Sequence, residues 1–406
     1  MNRRALLAAL ALVPFPLRAA DRPSNARGPF AGDFDLFWRA IDRAYPYFDG
    51  TRVRWKRARL RWAPQAERAR TPVDLVGAIE HAIEALADDH VTVSIRGLSP
   101  VRRVPHDTDV WAAFHGSEAR IEAVRASGEA DYAGVHPGHL VRRIDGVPVE
   151  RAIRERLRAA GLPPSARDWA LRHALAGPWK GRVRLEVEEA GAVRAIDVER
   201  QGLAPANGAA ISARRMGEAR DIGYIRVREP FGRGGDVDEF DAALAQVKDT
   251  KALLLDLRDL HGAGDRPVTR AVLGRFTATA KPWQVREAPR AGKVIDTVAP
   301  RGPWTYAAPV AVLVDRWTAG EGEALAAGLA AASRARLVGT AMAGLRGETR
   351  EVVLPASGIV VRFPVEKVFL ADGTPRERLR PHVEVDPAAP SGGPGDPILY
   401  RALRLF

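Results

Sequence analysis

The sequence predicts a multidomain protein that combines α+β and α/β architecture in three successive parts. Residues 28–100 carry a helical apolar period, residues 105–200 contain short alternating strands, and residues 205–395 follow a βαβα order. The changes from a helical period to a period of two, and then to continuous apolar runs, mark the divisions. A length of 406 residues fits two or three domains.

The N-terminal segment, residues 1–20, is typical of an export signal. Arg3 and Arg4 form a charged start, Ala5–Pro16 is apolar, and Ala19 and Ala20 suit a cleavage site. The Arg pair also fits a twin-arginine exporter, and the apolar run is too short for a permanent membrane span. Because the chain has no cysteine, we expect a periplasmic or secreted bacterial-envelope protein without stable membrane insertion.

The helical module begins with DFDLFWRAIDRAYPYF, whose apolar residues share one helical stripe: Phe34, Phe37, Trp38, Ile41, Tyr45 and Phe48. A second helix is predicted to begin after Thr71, with Pro72 in its first turn and Asp74 completing a capping box. It ends at ADDHVTVSI, where alternation takes over. His90 is therefore expected on a short loop before a strand.

Residues 105–200 form a β-rich part. The Asp145-Gly146 pair predicts a hairpin turn. The stretch ADYAGVHPGHLVRRIDGVPV resembles the second half of a PDZ-like domain, and such domains bind extended peptides by strand addition. By this resemblance, Ala112, Ala113 and Phe114 in VWAAFHG are expected in a loop that receives a peptide carboxylate.

The βαβα part contains four strand segments, IGYIRV, ALLLDLR, PVAVLVD and ARLVG, separated by amphipathic helices. Continuous apolar runs at Ala252–Leu257 and Pro309–Val314 indicate strands covered on both faces. Asp256 and Arg258 are expected to pair structurally on such a strand. The stretch EVVLPASGIVVRFPVEKVFL predicts a hairpin.

One turn carries the functional question: VDRWTAGEGEALAAGL leads from a buried strand into a helix through a glycine-containing turn. Helix N-termini of this kind often mount nucleophiles, yet the stretch has no Ser or Cys. We expect Thr318 and Glu321 to form a capping box, in which the Thr318 hydroxyl accepts from the Glu321 N–H. The alternatives are Thr318 as a nucleophile and Glu321 as a base for water.

Five landmarks in this order resemble the tail-specific (C-terminal processing) serine peptidases and their tricorn-like branch: IGYIRV, LLLDLRDLHGAGD, VAVLVDRWTAGEGEALAAGL, RARLVGTAMAGLRG and LADGTPRERLRPHVEVDP. The resemblance implies a ClpP/crotonase-like core. It places the family's nucleophilic Ser at Gly320. One branch's Lys base falls at Leu345, beside Arg346. The tricorn-like branch implies His90 as the base and Glu377 as its partner.

The same resemblance implies an oxyanion hole made of two backbone N–H groups, those of Glu321 and Gly262. His261 borders this loop and is a further candidate. Since Gly320 has no side chain, the expected protein engages unfolded or C-terminal polypeptide segments but is catalytically impaired. The alternative is an active serine-type peptidase or hydrolase that uses a non-standard nucleophile or activated water.

Other partners are not expected. The net charge is +12, but the arginines are scattered among acids without an aromatic-interleaved basic stripe, which argues against nucleic acid. His136 and His139 have no third ligand nearby in sequence, so we expect solvated side chains and no metal site. No cofactor is implied, and the oligomeric state is left open.

Overall fold

The structure is a computed structural model that describes residues 27–200, 208–232, 234–388 and 395–406. The predicted export signal at residues 1–20 lies outside the described residues. The α-helices are α1 (Ala31–Ala44), α2 (Arg52–Arg68), α3 (Pro72–Ile83), α4 (Glu129–Tyr132), α5 (Val149–Ala160), α6 (Arg167–Ala176), α7 (Asp236–Ala245), α8 (Arg266–Leu273), α9 (Glu321–Ser333) and α10 (Pro397–Leu403). Over these four ranges, no helix is long and apolar enough to cross a membrane.

The strands build three sheets. They are β1 (Thr92–Ile95), β2 (Val110–His115), β3 (Glu118–Val124), β4 (Leu140–Ile144), β5 (Val147–Pro148), β6 (Gly181–Glu189), β7 (Ala192–Arg200), β8 (Ile211–Met216), β9 (Ile222–Val227), β10 (Ala252–Asp256), β11 (Lys281–Ala288), β12 (Gly292–Val298), β13 (Val310–Val314), β14 (Arg336–Gly339), β15 (Glu348–Val353), β16 (Ile359–Leu370) and β17 (Val383–Glu384).

The first helices confirm part of the sequence prediction. Thr71 caps α3 through a capping box, in which its hydroxyl accepts from the Asp74 N–H and the Asp74 carboxylate accepts from the Thr71 N–H. The predicted stripe is buried at Phe34, Phe37 and Ile41 of α1. Sequence reasoning missed α2, whose run of arginines and internal Pro64 hide a narrow apolar stripe.

The helices α1–α3 pack on a sheet that is completed from far along the chain. Its order is β1-β16-β11-β12, with β15 paired to β16. The predicted hairpin of β15 and β16 is confirmed as an antiparallel pair, and β1 pairs with the same β16. One apolar cluster joins the helices to Leu354, Ile359, Val361 and Phe363 of that hairpin. The loop before β1 is thereby held against the loop before β15.

The β-rich part forms its own sheet, of order β2-β3-β4-β6-β7, with β5 paired to β4. Asp145 and Gly146 both have positive φ, 50° and 77°, as a type I′ hairpin turn requires, so the predicted hairpin is confirmed. Helices α5 and α6 contribute Ile153, Leu157 and Leu171 to the core of this sheet.

The βαβα part forms a sheet of order β17-β14-β13-β10-β9-β8. Its pairs are parallel except β8 with β9. Strands β10 and β13 are buried at every residue, as their apolar runs predicted. Apolar residues from α7, α8 and α9 cover one face of the sheet, and α10 covers the other. The loops after β10 and β13 therefore meet at one sheet edge, where α/β proteins place their sites.

The polar pair at the end of β10, Asp256 with Arg258, is structural, as predicted. Asp256 is fully buried and accepts two hydrogen bonds from the Arg258 guanidinium, at 2.9 and 2.8 Å. It also accepts from the Tyr224 hydroxyl at 2.6 Å. The charges lower the pKa of Asp256 despite its burial. This network anchors the start of the loop that follows β10.

Candidate active site

The turn between β13 and α9 ends at Gly320, which is the N-cap of α9 and has φ 60° and ψ −106°. A left-handed backbone of this kind strains any residue with a Cβ. A Cβ built on Gly320 would lie 2.4 Å from the carbonyl oxygen of Gly262. The position that the resemblance assigns to a serine is therefore shaped, in this structure, for a glycine.

The predicted capping box of Thr318 and Glu321 is wrong. The Thr318 hydroxyl donates to the Leu257 carbonyl at 3.0 Å and accepts from the Asp315 N–H at 2.9 Å. Thr318 is fully buried two residues before the N-cap, so its hydroxyl ties the turn to the end of β10. A hydroxyl held by two backbone groups is not directed at a substrate.

Glu323 is the acid that caps α9, and sequence reasoning did not select it. Its buried carboxylate accepts from the N–H groups of Gly320 at 3.0 Å, Gly344 at 2.8 Å and Leu345 at 3.2 Å. Burial raises its pKa to about 7, although these hydrogen bonds and Arg376 oppose the rise. The signal was available, because Glu323 stands three residues after the true N-cap, where a reciprocal acid is expected.

The predicted pair of free oxyanion N–H groups is absent from this conformation. The Glu321 N–H donates to the Gly262 carbonyl oxygen at 3.0 Å. A developing oxyanion would need that N–H for itself. Sequence reasoning brought the two residues together correctly, but it could not foresee that the carbonyl of one would occupy the N–H of the other.

The Glu321 carboxylate points away from its own N–H and into a polar niche. It accepts from the Phe231 N–H at 2.5 Å and from the Thr269 hydroxyl at 2.7 Å. Burial raises its pKa to about 7, and the negative charges of Asp236 and Asp265 add to the rise. The side chain is 4% exposed and can hold or release a proton near neutral pH.

His90 lies in the turn between the 3₁₀ turn Glu84–Leu86 and β1, as predicted. Its Nδ1 is 2.7 Å from the Arg346 carbonyl oxygen. Since a carbonyl only accepts, Nδ1 carries the proton and Nε2 keeps its lone pair. Burial lowers the pKa of the imidazole, so His90 is neutral at pH 7. The ring is thus oriented as a base would be.

A cavity of about 500 Å³ brings the candidate residues together. The predicted residues that line it are His90, Gly262, Gly320 and Glu321. Among the described residues, its lining includes neither Thr318 nor Glu377. The structure thus brings these four residues together around one space.

Glu377 lies in the 3₁₀ turn Arg376–Arg378, and its Oε2 is buried without a hydrogen-bond partner among the described residues. Its neighbour Arg376 instead reaches the cavity and donates to Glu348 at 2.7 Å. Glu348 and Arg376 both act electrostatically on His90. Sequence reasoning selected the residue beside the one that lines the site, because a 3₁₀ turn sends consecutive side chains in different directions.

The position of the alternative Lys base is filled by packing. Leu345 is 3% exposed, and its N–H is held by Glu323. The next residue, Arg346, supplies the carbonyl that orients His90. The loop 343–346 therefore links the turn at Gly320 to the imidazole and adds no base of its own.

The peptide-binding loop predicted at Ala112, Ala113 and Phe114 is strand β2, so the loop prediction is wrong. All three residues are in antiparallel register with β3, and Ala112 is fully buried. The Phe114 N–H donates to the Asp168 carboxylate of α6 at 2.9 Å. A peptide carboxylate would compete with Asp168 for this N–H.

The other histidines lie elsewhere. His261 contacts the Asp259 carbonyl through Nδ1 at 2.8 Å and stacks edge-on against His106. His139 is 1% exposed and accepts from the His136 N–H through Nδ1 at 3.1 Å, so the expectation of a solvated His139 is wrong. In the part of the chain that the structure describes, no group of three or more His, Cys, Asp or Glu could hold a metal ion.

Comparison with known proteins agrees with this architecture. Residues 221–385 match the family described as Peptidase family S41. A photosystem II D1 C-terminal processing protease is similar in structure, with a TM-score of 0.55, 20% identity, and coverage of 88% of this chain and 93% of that one. A putative peptidase from Parabacteroides merdae is also similar, with a TM-score of 0.56, 16% identity, and coverage of 94% of this chain and 97% of that one.

Mature CPAF is similar as well, with a TM-score of 0.58, 13% identity, and coverage of 88% of this chain and 92% of that one. At these identities the structural matches establish a shared fold. The comparison with curated proteins finds no match.

Proposed function

We propose that the protein is exported, engages extended polypeptide segments, and does not cleave them through a serine-type covalent intermediate; the match of residues 221–385 to peptidase family S41 supports the polypeptide partner. The observation that carries the proposal is the closed turn at Gly320. Gly320 has no side chain, and the Gly262 carbonyl oxygen lies 2.4 Å from the position that a Cβ would take. The same carbonyl takes the Glu321 N–H, so nucleophile and oxyanion donor are missing together.

Polypeptide engagement rests on three observations. The D1 C-terminal processing protease, whose fold this chain shares, is named for acting on a polypeptide end. Strand β2 is an edge strand, to which a further extended strand could be added beyond the Phe114 N–H that Asp168 occupies. The cavity at Gly320 has room for side chains of a bound segment, and the Nε2 lone pair of His90 can accept from a backbone N–H there.

A second candidate function, hydrolysis by activated water, is favoured by Glu321 and His90. Both line the cavity, and Glu321 has a pKa of about 7. A base with such a pKa can take a proton from water while the resulting hydroxide attacks a peptide carbonyl. The intermediate would still need an oxyanion donor, which the Glu321 N–H does not provide while it is bound to Gly262.

Incubation with casein and with fluorescein-labelled peptides separates the two functions. Under the proposal, anisotropy rises with protein concentration and no fragment is detected by mass spectrometry. A pair of peptides with free and amidated C-termini reports whether a carboxylate is recognised. Cleavage that is abolished by both His90→Ala and Glu321→Gln would replace the proposal by the second candidate. An absence of peptide binding would contradict both.

A labelling experiment tests the missing nucleophile directly. Gly320→Ser and Gly320→Ala introduce the same Cβ against Gly262, so they share the steric cost and differ only in the hydroxyl. Because the Gly262 carbonyl holds the Glu321 N–H, we expect a fluorophosphonate to label none of the three proteins, and labelling of the Ser variant alone would show a site that lacks only its nucleophile. Labelling of the parent would show that another nucleophile is active.

Export is tested separately by expression of the full chain in a bacterial host. The proposal predicts a periplasmic product whose N-terminus lies at about Asp21, as the cleavage site after Ala20 implies. A cytoplasmic product that retains Met1–Ala20 would contradict it.

A further inference from the structure

We propose that one face of α2 docks the protein peripherally on an anionic lipid bilayer. This face, called the α2 outer face, consists of Val53, Lys56, Arg57, Leu60, Arg61 and Arg68. Each of these residues is exposed, and the opposite side of α2 buries Trp55, Ala58 and Ala66. The inference does not depend on whether the cavity at Gly320 is catalytic.

The spacing of the outer face is that of a helix lying on a surface. Its residues fall within an arc of about 140° on the helix, and α2 is about 25 Å long. Pro64 lies in the same arc and is exposed as well. A helix of this length can lie flat along a bilayer with four cations and two aliphatic side chains on the contacting side.

The cations of the outer face differ from the other cations of α2. Lys56, Arg57 and Arg68 have no hydrogen-bond or ion-pair partner among the described residues. By contrast, Arg52 pairs with Asp42 and Arg59 pairs with Asp35. The outer face contains one acid within its arc, Glu67, which is half-buried and lies 4.0 Å from the exposed guanidinium of Arg27. Its positive charge is therefore available to an external anion.

The aliphatic residues between these cations are unusually exposed. Leu60 is 79% exposed and Val53 is 61% exposed. A basic helix that also presents aliphatic side chains fits the boundary between lipid headgroups and acyl chains, where the cations meet phosphate and the aliphatic groups enter hydrocarbon. Among the described residues, neither Leu60 nor Val53 belongs to an apolar cluster, so the described fold gives no reason for their exposure.

Neighbouring residues add to the α2 outer face. The Arg61 guanidinium donates to the Ala159 carbonyl at the end of α5 at 2.8 Å, which brings exposed Arg158 next to the outer face. The Gly28 N–H donates to the Glu67 carbonyl at 2.5 Å. Gly28 therefore lies beside the C-terminal end of α2.

Nucleic acid fits the surface less well, because single strands need free aromatic rings for stacking and both grooves of a duplex are polar. The aromatic side chains near α2 are already stacked: Trp38 on Trp55, and Trp62 on His81 at 4.5 Å. The exposed apolar residues are aliphatic, which favours hydrocarbon over bases.

Vesicle co-sedimentation tests the proposal on the full chain, so that residues 1–26 contribute equally in every variant. The probes are vesicles of equal parts phosphatidylglycerol and phosphatidylcholine, and vesicles of phosphatidylcholine alone. The variants are Lys56→Gln with Arg57→Gln, and Leu60→Ser. The matched control is Arg290→Gln with Lys293→Gln, which removes two exposed cations beside exposed Val294 and Ile295 at the turn between β11 and β12.

We expect the parent to partition more strongly onto anionic vesicles than onto neutral ones, with a loss of binding as salt increases. The double Lys56/Arg57 variant should bind roughly 25-fold less, at about fivefold per cation, and Leu60→Ser roughly tenfold less. The control should bind like the parent. Equal binding to both vesicle types, an equal loss in the control, or competition by a duplex oligonucleotide through the same residues would overturn the proposal.

Discussion

His90 and Gly320 line the same cavity, but their surroundings leave different groups free. On the His90 side, the Arg346 carbonyl fixes the imidazole and leaves the lone pair of Nε2 open. On the Gly320 side, the Gly262 carbonyl accepts the Glu321 N–H, and the Glu323 carboxylate accepts the Gly320 N–H. The His90 side therefore keeps a free acceptor for a ligand, whereas the N–H groups on the Gly320 side are already bonded within the protein.

The comparison teaches that one side of a cavity can be used for backbone stability while the other side keeps a lone pair for a ligand. Glu323 satisfies three backbone N–H groups with one buried carboxylate. Such groups would each be costly if left unpaired. We therefore expect substitutions around Gly320 to lower the free energy of unfolding more than substitutions around His90.

The largest effect is expected from Glu323→Ala. Loss of the carboxylate leaves the buried N–H groups of Gly320, Gly344 and Leu345 without an acceptor, so the free energy of unfolding should fall by about 3–5 kcal/mol. Glu323→Gln keeps one acceptor oxygen and should lose about 1–2 kcal/mol. Urea denaturation measures both, and equal losses in the two variants would contradict the assigned role.

The next largest effect should be the contribution of Glu321 to the pH dependence of the free energy of unfolding. Its pKa is raised from 4.5 to about 7 in the folded protein, so its stabilising contribution is complete below pH 4.5 and is lost as the pH rises towards 7. A shift of this size corresponds to up to about 3 kcal/mol. The free energy of unfolding of Glu321→Gln, measured relative to the parent, should therefore increase over this window. Parallel pH profiles would refute the raised pKa.

Gly320→Ala should cost about 2 kcal/mol, from the left-handed backbone and the approach to the Gly262 carbonyl. Gly358→Ala is the matched control, because Gly358 has φ 70° and no atom within 4 Å of its Cβ position. The additional loss of stability at Gly320 relative to Gly358, measured by thermal unfolding, is the part caused by the close Gly262 carbonyl. If the two variants lose equal stability, the Gly262 carbonyl moves away readily and does not hold the turn at Gly320 closed.

The smallest effect is expected from His90→Gln, about 1 kcal/mol from the lost hydrogen bond to Arg346. Burial lowers the pKa of His90, so its contribution is present above the ordinary histidine pKa and is lost as the pH falls. This sign is opposite to that of Glu321. Relative to the parent, the variant should therefore gain stability between pH 7 and pH 5, and a change in the other direction would contradict a neutral buried imidazole.

Prediction from the sequence succeeded where the signal is local or periodic. The capping box at Thr71, the hairpin at Asp145-Gly146 and the buried strands at 252–256 and 310–314 are all confirmed. It failed at Thr318 and at Phe114, because the partners of those groups come from distant segments. No spacing rule reaches Leu257 from Thr318 or Asp168 from Phe114.

The sequence by itself determined that a glycine stands at position 320, between a buried strand and a helix, with His90 on a loop before β1. Only the tertiary structure decided what surrounds that glycine. The loops after β10 and β13 approach so closely that the Gly262 carbonyl oxygen lies 2.4 Å from the Cβ position of Gly320 and accepts the Glu321 N–H. Which backbone group faces another depends on the rotation of single peptide units, and that is set by packing between segments, not by residue type.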